Sequence, residues 1–220
     1  MRIEALNIKK VFPAPVFSGI TPLRALDGLN LAAGPGVTGL EGPNGSGKTT
    51  LFKVLAGILE PDGGKVTVDG QTAGARRLRG LAAFCPPNPR SFYYRLSVLE
   101  NLRFFGALAG LSPARSAEGA RALGARLGLC AADLERRFDR LSEGNMQKVS
   151  LIRAFSRRAP VVLLDEPFHA LDEKACAGLV ALIAETGRAA TVLLSSHSPA
   201  LLAAAADRTF RLEAGRATAP

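Results

Sequence analysis

The residues with the clearest chemical meaning form a glycine-rich segment at positions 42–50. Its members are Gly42, Pro43, Asn44, Gly45, Ser46, Gly47, Lys48, Thr49 and Thr50, and they match the phosphate-binding pattern G-x-x-x-x-G-K-[ST] at every fixed position. Glycines let backbone N–H groups approach a polyphosphate, and the helix expected next adds the positive end of its dipole. The pattern predicts that Lys48 binds the β- and γ-phosphates and that the Thr49 hydroxyl ligates Mg²⁺.

Acidic and imidazole side chains follow two apolar runs later in the chain. Asp165 and Glu166 come directly after Val-Val-Leu-Leu at 161–164, a composition typical of a parallel strand buried on both faces. Because ligands collect at the carboxyl edge of such a sheet, we expect Asp165 to hold Mg²⁺ through water and Glu166 to accept a proton from an attacking water. The second apolar run is Thr-Val-Leu-Leu at 191–194. His197 follows it and is placed to hydrogen-bond a γ-phosphate. A lone histidine after a strand is more often structural, so this role depends on its companions.

Two further candidates for binding a nucleotide carry weaker signals. Phe12 precedes a turn-rich segment and is suited to stacking on a purine ring, but a core or loop phenylalanine fits equally well, and Phe17 is a rival. Ser142 and Gly144 begin a run with helical spacing, where a hydroxyl and free N–H groups can hold an anion. Taken alone, this pair predicts only a helix cap.

The elements that must position these residues follow from the apolar periodicity. Strands are predicted at 3–12, 26–31, 37–40, 65–68, 81–84, 161–164 and 191–195. Residues from about 90 to 157 have helical spacing, with Ser97 and Glu100 as a predicted helix start. We therefore predict one α/β domain, whose core at 1–89 and 158–220 is interrupted by a helical subdomain at about 90–157.

A cluster of aromatic residues lies at the start of the helical segment. Residues 90–95 read Arg-Ser-Phe-Tyr-Tyr-Arg and follow a proline-rich stretch. Aromatic side chains in a loop flanked by arginines are typical of a docking surface, which predicts that Phe92, Tyr93 and Tyr94 receive a partner. The alternative is a loop folded over the core.

Composition sets the outer bounds of the interpretation. A hydrophobic content of 47% over 220 residues excludes general disorder. No apolar run approaches the roughly 20 residues needed to cross a bilayer, and the first residues lack the plan of a secretion signal. Three separated cysteines indicate neither a metal site nor a disulfide framework. We expect a globular protein in the cytoplasm.

The net charge of +9 suits an acidic partner, which includes a nucleotide, a nucleic acid or an anionic membrane face. The net charge alone does not distinguish among these three partners. The basic residues are scattered apart from short groups such as 76–79, so solvated faces are the favoured interpretation.

The order of the motifs closely resembles the ATP-binding cassette family of transport ATPases. The motifs are the segment at 42–49, Leu-Ser-Glu-Gly at 141–144, Leu-Asp-Glu-Pro at 164–167, Ala-Leu-Asp at 170–172 and Ser-Ser-His at 195–197. The resemblance covers nearly the whole chain, from residue 3 to about 216. It implies an α/β fold, in which a phosphate-loop NTPase core with a mainly parallel sheet carries an N-terminal antiparallel β subdomain and an inserted α-helical subdomain.

The resemblance also implies roles and partners. ATP and Mg²⁺ would be the cofactors. Phe12 would stack on adenine, Ser142 and Gly144 would contact ATP held by the opposite subunit, Asp172 would belong to the loop linking the two sites, and His197 would be the switch histidine. It implies a head-to-tail dimer of identical or paralogous ATPases that closes on two ATP molecules. Transmembrane permease subunits on separate chains are implied too, which places the protein at the cytoplasmic face of the cell membrane, and no specific nucleic-acid binding is expected.

Three positions depart from the family pattern. A glutamine usually follows the strand at 81–84, and the nearest amide here is Asn88, one methylene shorter, so Asn88 is the candidate for the Mg²⁺ and γ-phosphate contact. Glu143 replaces the usual glycine, and His169 stands where a small residue is common. Both are candidates for tuning the rate or the coupling. The groups that hydrolysis requires are present: Lys48, Thr49, Asp165, Glu166 and His197.

Two functions of different classes remain open at this point. The first is the motor of a transporter, and the second is a soluble cassette ATPase that acts on ribosomes or nucleic acid. Soluble relatives usually carry two cassettes or long coiled-coil insertions, and neither pattern is seen here, which favours the motor. Residues 90–97 resemble those of cassettes that serve exporters of drugs or polymers, which favours export.

Overall fold

The computed structural model describes residues 1–14, 21–89 and 91–218. Phe17 and Arg90, which the sequence analysis considered, lie outside the described residues. The strands are β1 (Ile3–Phe12), β2 (Leu23–Ala33), β3 (Gly36–Glu41), β4 (Gly63–Val68), β5 (Gln71–Thr72), β6 (Ala82–Cys85), β7 (Val161–Leu164), β8 (Thr191–Ser195), β9 (Arg208–Glu213) and β10 (Arg216–Thr218). The helices are α1 (Lys48–Leu55), α2 (Ala75–Leu81), α3 (Val98–Leu108), α4 (Pro113–Arg126), α5 (Ala131–Glu135), α6 (Glu143–Ser156), α7 (Glu173–Gly187) and α8 (Pro199–Ala205), with a 3-10 turn at Phe138–Arg140.

The strands form two sheets, as the predicted fold class requires. An antiparallel sheet has the order β2-β1-β4-β5, and a larger sheet has the order β10-β9-β3-β8-β7-β6. In the larger sheet β6, β7, β8, β3 and β9 are parallel, and only β10 pairs antiparallel, with β9. The α/β fold with a mainly parallel sheet and an antiparallel N-terminal sheet is thus confirmed.

The parallel sheet is covered on both faces, which explains its unbroken apolar strands. Along β7, Val161 and Leu163 face one core cluster, which also holds α1, whereas Val162 and Leu164 face a second cluster with α6 and α7. Because successive side chains of a strand point to opposite faces, a strand packed on both sides must be apolar throughout. The same arrangement brings the carboxyl ends of β3, β7 and β8 to one edge.

Helices α3 to α6 all lie between β6 and β7 in the chain. The predicted capping box of α3 is present: the Ser97 N–H donates to Glu100 at 2.7 Å, and the Glu100 N–H donates to the Ser97 hydroxyl at 3.1 Å. The assignment of about 90–157 as a separate helical subdomain stays a prediction. Within the described residues, no helix is both long and apolar enough to cross a membrane.

Candidate functional site

The phosphate-binding segment links the end of β3 to the start of α1. Gly42, Gly45 and Gly47 have φ angles of 150°, 79° and 107°, which glycine adopts without the strain of a Cβ atom. A Cβ added to Gly42 would clash with the Leu212 carbonyl, and one added to Gly47 would clash with the Ala25 carbonyl. Glycine is therefore required at both ends of the segment for conformation and for space.

Lys48 is the first residue of α1, and its side chain turns back over the loop. It is only 7% exposed, and its Nζ donates to the carbonyls of Gly42 at 2.7 Å and Pro43 at 3.1 Å. Ser46 lies beside it with a buried hydroxyl that accepts or donates no hydrogen bond among the described residues. An ammonium group bonds more strongly to a phosphate oxygen than to a carbonyl, so Lys48 is placed to exchange these partners for a polyphosphate.

Asp165 is fixed by two hydroxyl groups at the carboxyl edge of the parallel sheet. Its Oδ2 accepts from the Thr49 hydroxyl at 2.6 Å, and its Oδ1 accepts from the Ser195 hydroxyl at 2.8 Å. It is 1% exposed. Carboxylate and hydroxyl oxygens are the donors that Mg²⁺ takes when phosphates and water fill its other positions, so this pair of residues fits that ion. Within the described ranges, no group of three or more His, Cys, Asp and Glu side chains is placed to hold a metal ion by itself.

Glu166 and His197 form the second pair of this edge. Glu166 has a φ of 50°, and its N–H donates to the Ser195 hydroxyl at 3.0 Å. Its Oε2 accepts from the His197 N–H at 3.1 Å, while its Oε1 lies 3.3 Å from Nε2 of the same histidine. Among the described residues, this Oε1 is buried with no hydrogen-bond partner. An acceptor in that state can take a hydrogen bond from a water molecule, which general-base chemistry requires.

These groups line one cavity of about 360 Å³, called the triphosphate pocket below. Its lining is Phe12, Leu23, Ala25, residues 44–50, Pro87, Asp165, Glu166 and His197. Phe12 is 38% exposed at the far end, where a planar ring could lie against it. Gly42 and Pro43 line an adjoining cavity that also reaches His197.

Asn88 differs from its expected position. It is exposed, and Pro87 rather than Asn88 reaches the triphosphate pocket. A contact between Asn88 and Mg²⁺ would need the 86–89 segment to rearrange, and it stays a prediction.

Ser142, Gly144 and Asp172 do not line the triphosphate pocket. With Glu143 and His169 they form a separate surface, called the serine–glycine face. The Ser142 hydroxyl caps α6 by accepting from the Asn145 N–H at 3.3 Å, as the sequence predicted. Gly144 packs so closely on the Ala170 carbonyl that a Cβ would clash with it.

Asp172 ties this face to α6 and α7. Its carboxylate accepts from the Ala175 N–H at 2.8 Å and from Lys148 Nζ at 2.9 Å. These hydrogen bonds, the backbone one first, hold the pKa of Asp172 below its ordinary value. The carboxylate is therefore charged and oriented at neutral pH.

The aromatic cluster divides into a buried and an exposed part, so the prediction that all three aromatics form a docking surface is wrong for Phe92. Phe92 is 5% exposed and stacks on Phe138 with ring centroids 4.6 Å apart. Tyr93 and Tyr94 are 50% and 45% exposed. The loop is therefore anchored in the core by Phe92 and is open to solvent at the two tyrosines that follow it.

The exposed Tyr93 lies beside an apolar groove of about 290 Å³, because its ring centroid is 6.4 Å from that of Phe105 in the groove lining. The groove lining includes Phe84 of β6, Leu102, Phe105 and Leu108 of α3, Arg153 of α6, and Arg157, which follows α6. The guanidinium of Arg153 lies 4.4 Å from the Phe92 ring centroid and 4.8 Å from that of Phe105, which are favourable cation–π distances. Tyr93, Tyr94 and this lining are called the aromatic groove below.

Sequence reasoning missed two kinds of residue. Ser195 was seen only as part of a polar strand end, yet it orders both Asp165 and the Glu166 backbone; a hydroxyl at the end of a strand beside the carboxylates was the available signal. Arg153 was not singled out, because a single arginine near the end of a helix carries no sign of the aromatic rings that it meets in the fold.

Comparison with known proteins gives a consistent result. The family model described as "ABC transporter" matches residues 26–169, which is more than half of the chain. The chain is 33% identical to the macrolide export ATP-binding/permease protein MacB of Chromobacterium violaceum over 97% of its length, but spans only 33% of that protein. It is 34% identical to the Fe(3+) ions import ATP-binding protein FbpC 2 of Rhodococcus jostii over 91% of its length and spans 58% of that relative.

The fold has a close counterpart among solved structures. A structure described as the ATP binding subunit of an ABC transporter superposes with a TM-score of 0.84, at 27% identity, over 100% of this chain and 89% of the other. One relative is named for export and the other for import, so similarity alone does not determine a direction of transport.

Proposed function

This chain belongs to the ABC transporter family as an ATP-binding subunit with ATP hydrolase activity, and from that premise we propose that two copies close head to tail and drive transport by hydrolysing ATP. Each of the two composite sites joins the triphosphate pocket of one copy to the serine–glycine face of the other. The observation that carries the proposal is the separation of these surfaces: Lys48, Asp165 and Glu166 converge on one cavity, and Ser142 and Gly144 lie outside it.

The roles of the residues follow from their positions. Lys48 and the N–H groups of 44–50 bind the triphosphate, and Phe12 stacks on the adenine. Thr49 and Asp165 would hold Mg²⁺, which when bound offsets the negative charge of the β- and γ-phosphates. Both residues already meet at 2.6 Å, so little reorganisation is needed to present two oxygen atoms.

Glu166 is the base in this proposal. Its unpartnered Oε1 accepts a hydrogen bond and then a proton from the attacking water. His197 keeps that carboxylate in place through its N–H and presents its imidazole, which is half exposed, toward the γ-phosphate. Asp172 and Lys148 hold the loop that links the two sites in the dimer.

The second part of the proposal concerns the partner. We expect the aromatic groove to receive a cytoplasmic helix of a membrane-spanning permease on a separate chain, which would place this protein at the cytoplasmic face of the membrane. The groove suits a helix because its apolar lining includes exposed Leu108 and a partly buried cation, Arg153, and because the exposed Tyr93 and Tyr94 lie in the neighbouring loop. The name of the relative MacB joins an ATP-binding protein and a permease, which supports this kind of partner. We propose export as the direction, on the resemblance of residues 90–97 to cassettes of exporters.

Co-purification tests the proposed function. The tagged chain is captured from detergent-solubilised membranes of cells that express it at native level, and its companions are identified by mass spectrometry. We expect a polytopic membrane protein in a stoichiometric amount, and stimulated ATP hydrolysis when the two are reconstituted in vesicles. Recovery with ribosomes or nucleic acid in place of a membrane protein would overturn the motor and favour a soluble cassette ATPase.

A further inference from the structure

Two residues that depart from the family pattern meet on the serine–glycine face. Glu143 is the first residue of α6, and His169 lies in the turn after β7. Glu143 Oε1 is 3.7 Å from His169 Nδ1. The two positions are far apart in the sequence, so their contact could not be anticipated from the separate substitutions.

The backbone around this pair is fixed by other contacts. Gly144 packs on the Ala170 carbonyl, and Lys148 donates to Asp172 at 2.9 Å. The His169 N–H donates to the Glu166 carbonyl at 3.2 Å. The positions of Glu143 and His169 are thus set without their ion pair. Since the side chains are 73% and 58% exposed, the pair contributes little to the stability of a single protomer.

The negative charge of Glu143 would repel a triphosphate bound at the serine–glycine face. Its carboxylate stands between Ser142 and Gly144, the residues that in the proposed function contact the triphosphate of the opposite copy. A carboxylate beside a triphosphate is unfavourable, and increasingly so as closure of the dimer removes water. The lysine of the same helix, Lys148, is already paired with Asp172. His169 is the group placed to supply a compensating positive charge.

We propose that His169 neutralises Glu143 when two copies close on ATP, so that the serine–glycine face accepts a triphosphate despite its carboxylate. This inference rests on the proposed function, because it requires a composite site. His169 is a positioning residue here: it acts on the nucleotide through Glu143. Closure of the dimer would then depend on the His169 imidazole, whereas folding of the protomer would not.

A double-mutant cycle measures this coupling. All variants carry Glu166→Gln to suppress hydrolysis, and ATP-dependent dimerisation is measured by sedimentation. We expect His169→Ala to weaken dimerisation about tenfold, the size seen for close charge pairs at interfaces, whereas the same change in a Glu143→Gln background has no effect. His169→Lys should retain dimerisation, because it restores a positive charge. The melting temperature of the nucleotide-free protomer should stay unchanged in all of them.

The contrary results are distinct. An equal loss from His169→Ala in both backgrounds, or no loss in either, would overturn the role of the pair while dimerisation itself stands. A failure of the Glu166→Gln parent to dimerise at any ATP concentration would instead overturn the proposed function, and the role of the pair with it.

Discussion

None of the described residues lines both the triphosphate pocket and the aromatic groove, and the two regions are built in opposite ways. In the pocket, the oxygens of Asp165 and the ammonium of Lys48 already have hydrogen-bond partners. In the groove, Tyr93, Tyr94 and Leu108 are 50%, 45% and 73% exposed. A polar site that is fixed in advance suits a small charged ligand, whereas an apolar surface left open suits a protein partner.

The difference also predicts how each region responds to substitution. In the proposed function, pocket residues act on the transition state, so changing them should alter the rate of ATP hydrolysis and leave the fold intact. Groove residues divide by burial, so changing them should alter either the stability or the binding of a partner. The experiments below test this division, beginning with the largest expected effect.

Replacing the base of the pocket should have the largest effect. We expect Glu166→Gln to bind ATP, to accumulate closed dimers and to lower the rate of ATP hydrolysis by about 10² to 10⁴-fold, because general bases contribute that much. Phosphate release and light scattering measure the two results. Glu185→Gln, which removes a carboxylate on α7 outside the pocket, is the matched control and should hydrolyse ATP normally. Turnover by Glu166→Gln near that of the parent would show that Glu166 is not the base.

The second prediction concerns the buried part of the groove. Phe92→Ala should lower the free energy of unfolding by about 3–5 kcal/mol, the usual cost of deleting a buried ring, because Phe92 stacks on Phe138 and lies under Arg153. Phe104→Ala is the matched control, since Phe104 is 40% exposed and should lose about 1 kcal/mol or less. Urea unfolding followed by circular dichroism compares them. Equal losses would contradict the burial of Phe92.

The two regions also differ in how well the sequence predicts them. The pocket follows from motifs whose spacing is set by chemistry: Lys48 and Thr49 stand on one helix start, and Asp165 and His197 stand at strand ends that parallel pairing brings together. The mainly parallel sheet and the antiparallel N-terminal sheet likewise agree with the sequence-based expectation. Local sequence patterns are sufficient to predict a site when its residues stand at helix starts and strand ends, because these elements fix where the side chains point.

The groove could not be predicted in this way. Three consecutive aromatics gave no sign that Phe92 turns inward and its neighbours outward, because an irregular loop has no fixed periodicity. Arg153 meets Phe92 and Phe105 only after α3 and α6 pack together. The displacement of Asn88 from the pocket has the same origin, since the proline-rich stretch at 86–89 sets a path that sequence spacing does not define.

Cys85 ends β6, after Phe84 of the groove lining and before Pro87 of the pocket lining, and its buried thiol tests whether this part of the core excludes water. Burial is the main cause that raises the pKa of its thiol to about 11. A raised thiol pKa stabilises the folded protein fully at neutral pH, and this stabilisation is lost as the pH rises from about 9 to 11. We therefore expect the free energy of unfolding of the parent to fall by about 2 kcal/mol more than that of Cys85→Ala between pH 8 and pH 11, where half of the folded protein still keeps the thiol proton.

Urea titrations at pH 8 and pH 11 measure this difference, and the other titrating groups are common to both proteins. Parallel pH profiles would mean that water reaches Cys85. The core around Cys85 would then be more open to water than the buried contact between its Sγ and the Ser150 hydroxyl, at 3.3 Å, indicates.

The smallest expected effect belongs to the exposed part of the groove, and it separates binding from catalysis most directly. Replacing Tyr93 and Tyr94 with alanine should leave basal ATP hydrolysis and the melting temperature nearly unchanged, because neither ring lines the triphosphate pocket and both are about half exposed. Binding of the membrane partner should weaken about tenfold or more, since exposed tyrosines that become buried are frequent anchors of interfaces. Lys65→Ala combined with Gln71→Ala, two exposed positions on the antiparallel sheet, should leave partner binding as in the parent. If the tyrosine variant binds the partner as tightly as this control does, the permease docks elsewhere, and the open aromatics of the groove need another occupant.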